Sequence, residues 1–293
     1  MPRSRIYLPK LESPPATIVG HLAQLFPQVS AAAWRDRAAR GLVTTGDGIK
    51  IREDSPYTYG LTIFYMKEVQ SEPAPLETET ILFQDDEILA ADKPHGMTVT
   101  PAGDHVARSM LHRLQERTGL ETLVPLHRID RDTAGLVLFG IRAASRARYH
   151  ELFAKKAIQR EYLAAAHVAD VPDQKHWSVE NRLGAGTPWF RRQILKEGPI
   201  NASTEIELIE VREDIGLFRL KPATGKKHQL RVHMASIGFP ILGDALYPEM
   251  RNQEPSDPPM QLLACRLTFI DPVSGIQREF NSERRLQHAL SAD

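Results

Sequence analysis

The chain has 293 residues, 42% hydrophobic and 25% charged, which is the mixture of a soluble globular protein with room for one large domain and a small one. Its 37 Lys and Arg balance 37 Asp and Glu, so net charge points to no polyanionic partner and any nucleic-acid footprint must be local. The single cysteine, Cys265, excludes an intrachain disulfide and a cysteine-rich zinc site, and no apolar run reaches membrane-spanning length.

The opening residues, MPRSRIYLPKLESPPA, hold no continuous apolar stretch, so no secretory leader is expected and the protein reads as cytosolic. Over residues 17–26, Val19, Leu22, Leu25 and Phe26 recur with helical period, and Pro27 stops that helix. A second short helix opens at Ser30, a good N-cap, ends near Gly41 and carries Arg35, Arg37 and Arg40. Strand-like runs follow at 42–45, 48–52 and 61–65. The stretch SEPAPLETE, near 70–79, reads as a linker between a small unit (residues 1–75) and a larger body (residues 79–293).

In the body, runs at 80–83 and 87–91 flank Gln84, Asp85 and Asp86 and predict a hairpin. Asp104 is placed to cap a helix whose stripe is Val106, Met110, Leu111 and Leu114, closed by Gly119. The continuous apolar run 136–139 predicts a strand buried on both faces. A helix over 143–156 and a strand over 161–168 follow. Phe218 and Leu220 alternate with Arg219 and Lys221, giving a strand with one basic face. Leu263, Cys265, Leu267 and Phe269 share a face of a late strand, which makes Cys265 a packed small hydrophobe rather than a nucleophile. The elements together predict an α+β body with a mixed sheet.

The segment LVPLHRIDRDTAGLVLFG, residues 123–140, sets His127, Arg128, Asp130 and Asp132 between two apolar runs. A loop held by buried strands is where site residues are usually positioned, although a solvated charged loop reads the same way. His127-Arg128-Ile129-Asp130 with Asp132-Thr133-Ala134-Gly135 resembles the H-R-L-D-x-x-T-S-G signature of RluA-like pseudouridine synthases. Three further blocks match that family in order: Lys93-Pro94-His95-Gly96 after the hairpin, Gln159-Arg160-Glu161-Tyr162, and the stretch from Pro222 through His228, Gln229 and Arg231 to Gly243-Asp244. The likeness spans roughly residues 79–285. Ile129 stands where the family has Leu, and Ala134 where it has Ser, which takes a hydroxyl from the loop.

The resemblance implies a mixed, largely antiparallel sheet flanked by helices, beside a small N-terminal α/β domain. It also implies an isomerase that turns uridine in RNA into pseudouridine. That reaction breaks an N-glycosidic bond, turns the base and reattaches it through carbon, so no redox cofactor, metal or nucleotide is needed. One ionised carboxylate near ribose and base can act as nucleophile or base, a role that maps onto Asp130. Arg231 maps onto the cation that keeps the carboxylate ionised. Tyr162 maps onto the aromatic that meets the flipped base, and Arg128 onto the residue that contacts RNA around the vacated position. The expected partner is a structured RNA, ribosomal or transfer, with no membrane and no small-molecule cofactor, and the expected state is a monomer.

Local charge agrees with an RNA partner: Arg142, Arg146, Arg148, Lys155, Lys156 and Arg160 face only Glu151 in their stretch. Arg219, Lys221, Lys226, Lys227 and Arg231 cluster with no acid among residues 219–233. The N-terminal unit is similar to an S4-like RNA-binding domain around Leu25-Phe26-Pro27, Ser30, Gly41-Leu42-Val43 and Gly46.

Two other functions compete with the isomerase. One is an RNA-binding protein that keeps the fold without catalysis, against which Asp130 and Arg231 stand intact. The other is a glycosidase-type hydrolase, which needs two facing carboxylates, while Asp132 reads as a turn-stabilising residue. A phosphate-binding loop fails because Leu220 and Lys227 occupy its fixed positions, and a dinucleotide fingerprint fails at Trp189. His228 and His233 lack the spacing and acid of a metal-binding helix, so no metal site is expected.

Overall fold

Side-chain hydroxyls start the first two helices. Thr17 Oγ1 accepts the Gly20 N–H at 3.0 Å to open α1 (Ile18–Leu25), and Ser30 Oγ accepts the Ala33 N–H at 3.1 Å to open α2 (Ala31–Ala39). These helices belong to the first of two units in a computed structural model that describes residues 3–26, 29–66, 77–101, 108–186, 193–251 and 257–287. The expected linker falls largely outside the described residues, as does Pro27.

The first unit adds strands β1 (Arg3–Tyr7), β2 (Val43–Thr45) and β3 (Thr62–Met66), paired antiparallel in the order β1-β3-β2. Leu8, Ile18, Leu22, Trp34, Val43 and Ile63 form its core, each no more than 2% exposed. The run expected as a strand at 48–52 makes only a bridge from Lys50 to Thr44, because a tight turn closes where Gly48 N–H meets Thr45 O at 3.0 Å. Periodicity gives no sign of β1: its arginines and serine carry no apolar alternation, and only its register against β3 makes it a strand.

The second unit opens with the expected hairpin, β4 (Thr80–Gln84) and β5 (Ile88–Lys93). Helix α3 (Met110–Thr118) is capped by Ser109, not by Asp104, which lies with Val106 outside the described residues. The helix begins there because Met110 and Leu111 give their N–H groups to Thr98 O and Val99 O, at 2.8 and 3.0 Å. Gly119 ends it in the left-handed conformation, as expected. Then come β6 (Val124–Pro125), β7 (Ala134–Gly140), α4 (Arg146–Ala154) and β8 (Gln159–His167). Two charged strands follow, β9 (His176–Ala185) and β10 (Gln193–Lys196), then β11 (Ala202–Arg212) and β12 (Ile215–Pro222). Helix α5 (Gln229–Ser236), β13 (Leu262–Ile270) and β14 (Gln277–Asn281) complete the unit.

The strands run β10-β9-β11-β12-β8-β13-β7-β5-β4, with β14 added to β13 and β6 to β7. The sheet is mixed and largely antiparallel, as the α+β reading requires: among the described strands β13 and β7 are the parallel pair, at Leu263–Ala134 and Ala264–Gly135. Gly135 is obligatory at this junction. Its φ is +109°, and a Cβ there would sit 2.3 Å from Ala264 O. β7 is buried along its whole length, with Leu136 and Leu138 feeding one core and Val137 and Phe139 the opposite one. Cys265 packs with Ala134, Leu263 and Leu286, and burial pushes its thiol up to about 11, so it behaves as the small hydrophobe expected. That same apolar cluster holds Ala134.

Candidate active site

The loop that carries Asp130 is fixed at both ends before any catalytic group is considered. His127 Nε2 accepts the Leu138 N–H at 3.0 Å, and its ring stacks on Phe153 at 4.9 Å. Burial drives its pKa down to about 3, with Arg160 adding to the effect, so the ring stays neutral and works as an acceptor. Beyond Asp130, the Thr133 N–H closes a turn on Asp130 O at 3.2 Å, and β7 begins at Ala134.

A second loop, 94–97, is locked to the first by Lys93, whose side chain is wholly buried. Its Nζ donates to Pro94 O, Met97 O and Arg131 O at 2.9, 2.7 and 2.8 Å, using all three protons on carbonyls. Burial lowers its pKa to about 7, opposed by the charges of Asp132 and Asp130. His95 completes the clamp, its Nδ1–H donating to Asp132 O at 2.8 Å. Asp132 itself pairs with Arg131 at 2.8 Å, which suits a turn-stabilising carboxylate.

Helix α5 delivers the opposing side. Gln229 donates to Ser203 O and Thr204 Oγ1, and its Oε1 accepts the Lys226 N–H, so the helix start is bolted to β11. His233 bonds Thr204 Oγ1 at 2.8 Å and Asn181 Oδ1 at 3.1 Å one turn later. Between them Arg231, 3% exposed, points at two carboxylates. Its Nε and Nη2 donate to Asp244 at 2.7 and 2.6 Å, and its Nη1 reaches Asp130 Oδ2 at 3.3 Å. Burial opposes the arginine's charge, but the Asp244 bonds and the Asp130 charge outweigh it and raise the pKa further. The guanidinium also lies 5.3 Å from the Tyr247 ring centre.

The structure therefore brings Asp130 and Arg231 together. Asp130 keeps 28% of its side chain exposed, so solvent or a ligand can reach it. Tyr162, on β8, is 9% exposed, and burial followed by the nearby Asp130 charge keeps its hydroxyl protonated. Arg128 is exposed on the Asp130 loop. The charge clusters are less open than their sequence: Arg142 pairs with Asp86, Lys155 with Glu151 and Arg219 with Glu207. Arg160 spends its Nη2 on Pro222 O and Thr224 O, holding the loop that leads into α5.

Sequence reasoning gave no role to Lys93, His228, Asp244 or Tyr247. For Asp244 a signal existed: an arginine buried between apolar helix neighbours needs carboxylates on both sides of its fork. For Tyr247 there was none, because its value lies in a contact made across folded chain.

A family model described as RNA pseudouridylate synthase matches residues 87–236. The chain is 31% identical over 210 residues to the dual-specificity RNA pseudouridine synthase RluA of Escherichia coli, covering 69% of this chain and 91% of that protein. It is 27% identical over 289 residues to the ribosomal large subunit pseudouridine synthase D of Zymomonas mobilis, covering 89% and 88%. The solved structure of human RNA pseudouridylate synthase domain containing 1 shares the fold, with a TM-score of 0.60 at 20% identity over 73% of this chain and 86% of that one.

Proposed function

The chain belongs to the RNA pseudouridylate synthase family and isomerises uridine to pseudouridine in RNA, and we propose that Asp130 is the carboxylate that performs the reaction. The observation that carries this reading is the Arg231–Asp130 contact at 3.3 Å, on a carboxylate with 28% of its side chain exposed. The buried guanidinium beside it fixes the carboxylate's position and supplies a counter-charge. Asp130 is placed to act as nucleophile or base while the bond from C1′ to N1 of uracil breaks, the bond to C5 forms, the C5 proton leaves and N1 takes up a proton. Tyr162 supports the base once it is out of the stack, and exposed Arg128 contacts the RNA around the gap.

The substrate on this reading is a structured RNA, ribosomal or transfer; the relative from Zymomonas mobilis carries a ribosomal substrate in its name. The enzyme works as a cytoplasmic monomer. The first unit, within residues 1–75, acts as an RNA-binding domain through α2, where Arg35 and Arg40 stand exposed. The test is pseudouridine mapping in total RNA with and without the gene, complemented by wild type or by Asp130→Asn. A modified site that vanishes without the gene and returns only with wild type supports the assignment. Restoration by the Asn variant overturns it.

A further inference from the structure

Tyr247 and His228 form a hydrogen-bonded pair whose imidazole faces the carboxylate assigned above. The Tyr247 hydroxyl oxygen accepts the backbone N–H of Gln193, the first residue of β10, at 2.6 Å. The same hydroxyl lies 2.9 Å from His228 Nδ1. On the far side of the imidazole, Nε2 stands 3.8 Å from Asp130 Oδ2, the oxygen that Arg231 also contacts. His228 is held there by its backbone: it caps α5 at φ +55°, a conformation in which a non-glycine residue is costly unless the surroundings fix it. Its side chain is 8% exposed.

One tautomer suits both contacts. Tyr247 Oη accepts the Gln193 N–H and can give its own proton to Nδ1. Nε2 faces an anionic oxygen, which favours a proton there and repels a lone pair. Burial keeps the ring neutral, pushing its pKa down to about 4 against the pull of Asp130. With that tautomer, Nε2–H is the group that faces Oδ2 across 3.8 Å. Asp244 holds the chain from behind, since its Oδ1 accepts the N–H groups of Leu246 and Tyr247 at 2.8 and 3.3 Å besides its bonds to Arg231.

We propose that His228 and Tyr247 are positioning residues: Tyr247 fixes His228 as the Nε2–H tautomer, and that N–H, with Arg231, holds Asp130 ionised and turned so that Oδ1 faces substrate. The relay also links the carboxylate to the β9–β10 hairpin through one backbone N–H. It rests on Asp130 being the catalytic carboxylate. The other charged or titratable groups that bear on Asp130 are Lys227 before α5, Lys93 on β5 and Tyr162 on β8, with Arg131 and Asp132 on its own loop.

Three replacements separate positioning from structure. The amide nitrogen of Gln overlays imidazole Nε2, whereas that of Asn overlays Nδ1. His228→Gln therefore keeps a donor toward Asp130, and His228→Asn keeps only the link to Tyr247. Tyr247→Phe removes one oxygen and leaves the ring packed. The measurement is kcat for pseudouridine formation against pH at saturating RNA, with the folded fraction checked by thermal melting. Without the Nε2 donor, protonation of the carboxylate becomes easier, so the acid limb in His228→Asn moves up by about half to one pH unit and kcat falls about tenfold. His228→Gln stays near the wild-type acid limb, and Tyr247→Phe falls between. If His228→Asn does not fold, the Tyr247→Phe and His228→Gln profiles carry the same comparison. An acid limb unmoved in the folded variants, or a Gln variant no closer to wild type than Asn, overturns the relay. Asp130→Asn, run alongside, keeps the two readings apart: its activity would remove the catalytic assignment, whereas an inactive Asp130→Asn with unmoved His228 profiles removes only the relay.

Discussion

Helices α2 and α5 are nearly equal in length and both present arginine, yet they use it in opposite ways. On α2, Arg35 pairs with Glu53 at 3.0 Å and Arg40 with Asp36 at 2.9 Å, with every partner about half exposed or more. Arg37 lies over Trp34 at 5.0 Å. On α5, Arg231 is 4% exposed in its side chain and Asp244 is 1%. Exposed pairs contribute little, in general under about 1 kcal/mol, so their arginines can turn to a phosphate at small cost. A buried arginine cannot change partners, because whatever it leaves behind is a charge without water. The same residue type is a replaceable surface group in one unit and a fixed structural point in the other.

The largest effect should come from the group that α5 serves. Asp130→Asn keeps the shape of the side chain but can neither attack nor accept a proton. Pseudouridine formation should fall at least about a hundredfold, while RNA affinity and melting temperature stay near wild type. A residual rate above about a hundredth of wild type would place the chemistry elsewhere.

Next in size is the buried pair itself. Arg231→Met leaves Asp244 enclosed without a counter-charge, which should cost roughly 3–5 kcal/mol in denaturant unfolding. Adding Asp244→Asn to it should recover part of that loss, since no bare charge is then buried. If the single variant unfolds at the wild-type midpoint, Arg231 belongs with the α2 arginines and the contrast is broken.

Acid should then act on the second unit, where three rings are held neutral, while burial also lowers the pKa of His21 in the first. His127, at about 3, and His228 and His233, at about 4, are held neutral by burial in the second unit, against 6.5 for an ordinary imidazole. Between the unfolded value and these folded values the unfolded chain binds more protons, so stability is complete above about pH 6.5 and is lost as pH falls toward 4. The unfolding midpoint should drop on going from about pH 7 to about pH 5. An unchanged midpoint over that range would mean that the three rings take up protons in the folded protein.

The smallest effect belongs to α2. Replacing Arg35, Arg37 and Arg40 by Gln should lower the slope of log affinity against log salt by about 0.7–0.9 for each phosphate that these arginines neutralise. KM should rise more than kcat falls, because such groups hold ground and transition states alike. A slope identical to wild type in the folded variant would make the first unit a structural extension.

Much of this was legible in the chain. Periodicity placed both N-terminal helices, the β4–β5 hairpin, β7 and the capped end at Gly119, since each depends on residues a few positions apart. The ordered motifs named Asp130, Arg231, Tyr162 and Arg128, and the fold put the first two side by side. The basic clusters misled in part, because a sequence does not show that Arg142 and Arg219 meet acids across neighbouring elements. The start of α3 was misplaced because Asp104 and Ser109 are both good caps, and distant carbonyls at 98 and 99 chose between them.

The sequence by itself determined the kind of chemistry, the order of the blocks that carry it and the apolar faces that become strands. These are local matters of residue type and spacing. Only the tertiary structure decided that β1 is a strand, that Gly135 must be glycine where β7 meets β13, and that one arginine is shared between Asp130 and Asp244. It also brought Tyr247 to His228, 19 positions away, and so to Asp130. Each of these joins segments far apart in the chain, and its strength comes from burial that exists only once the sheet has closed around it.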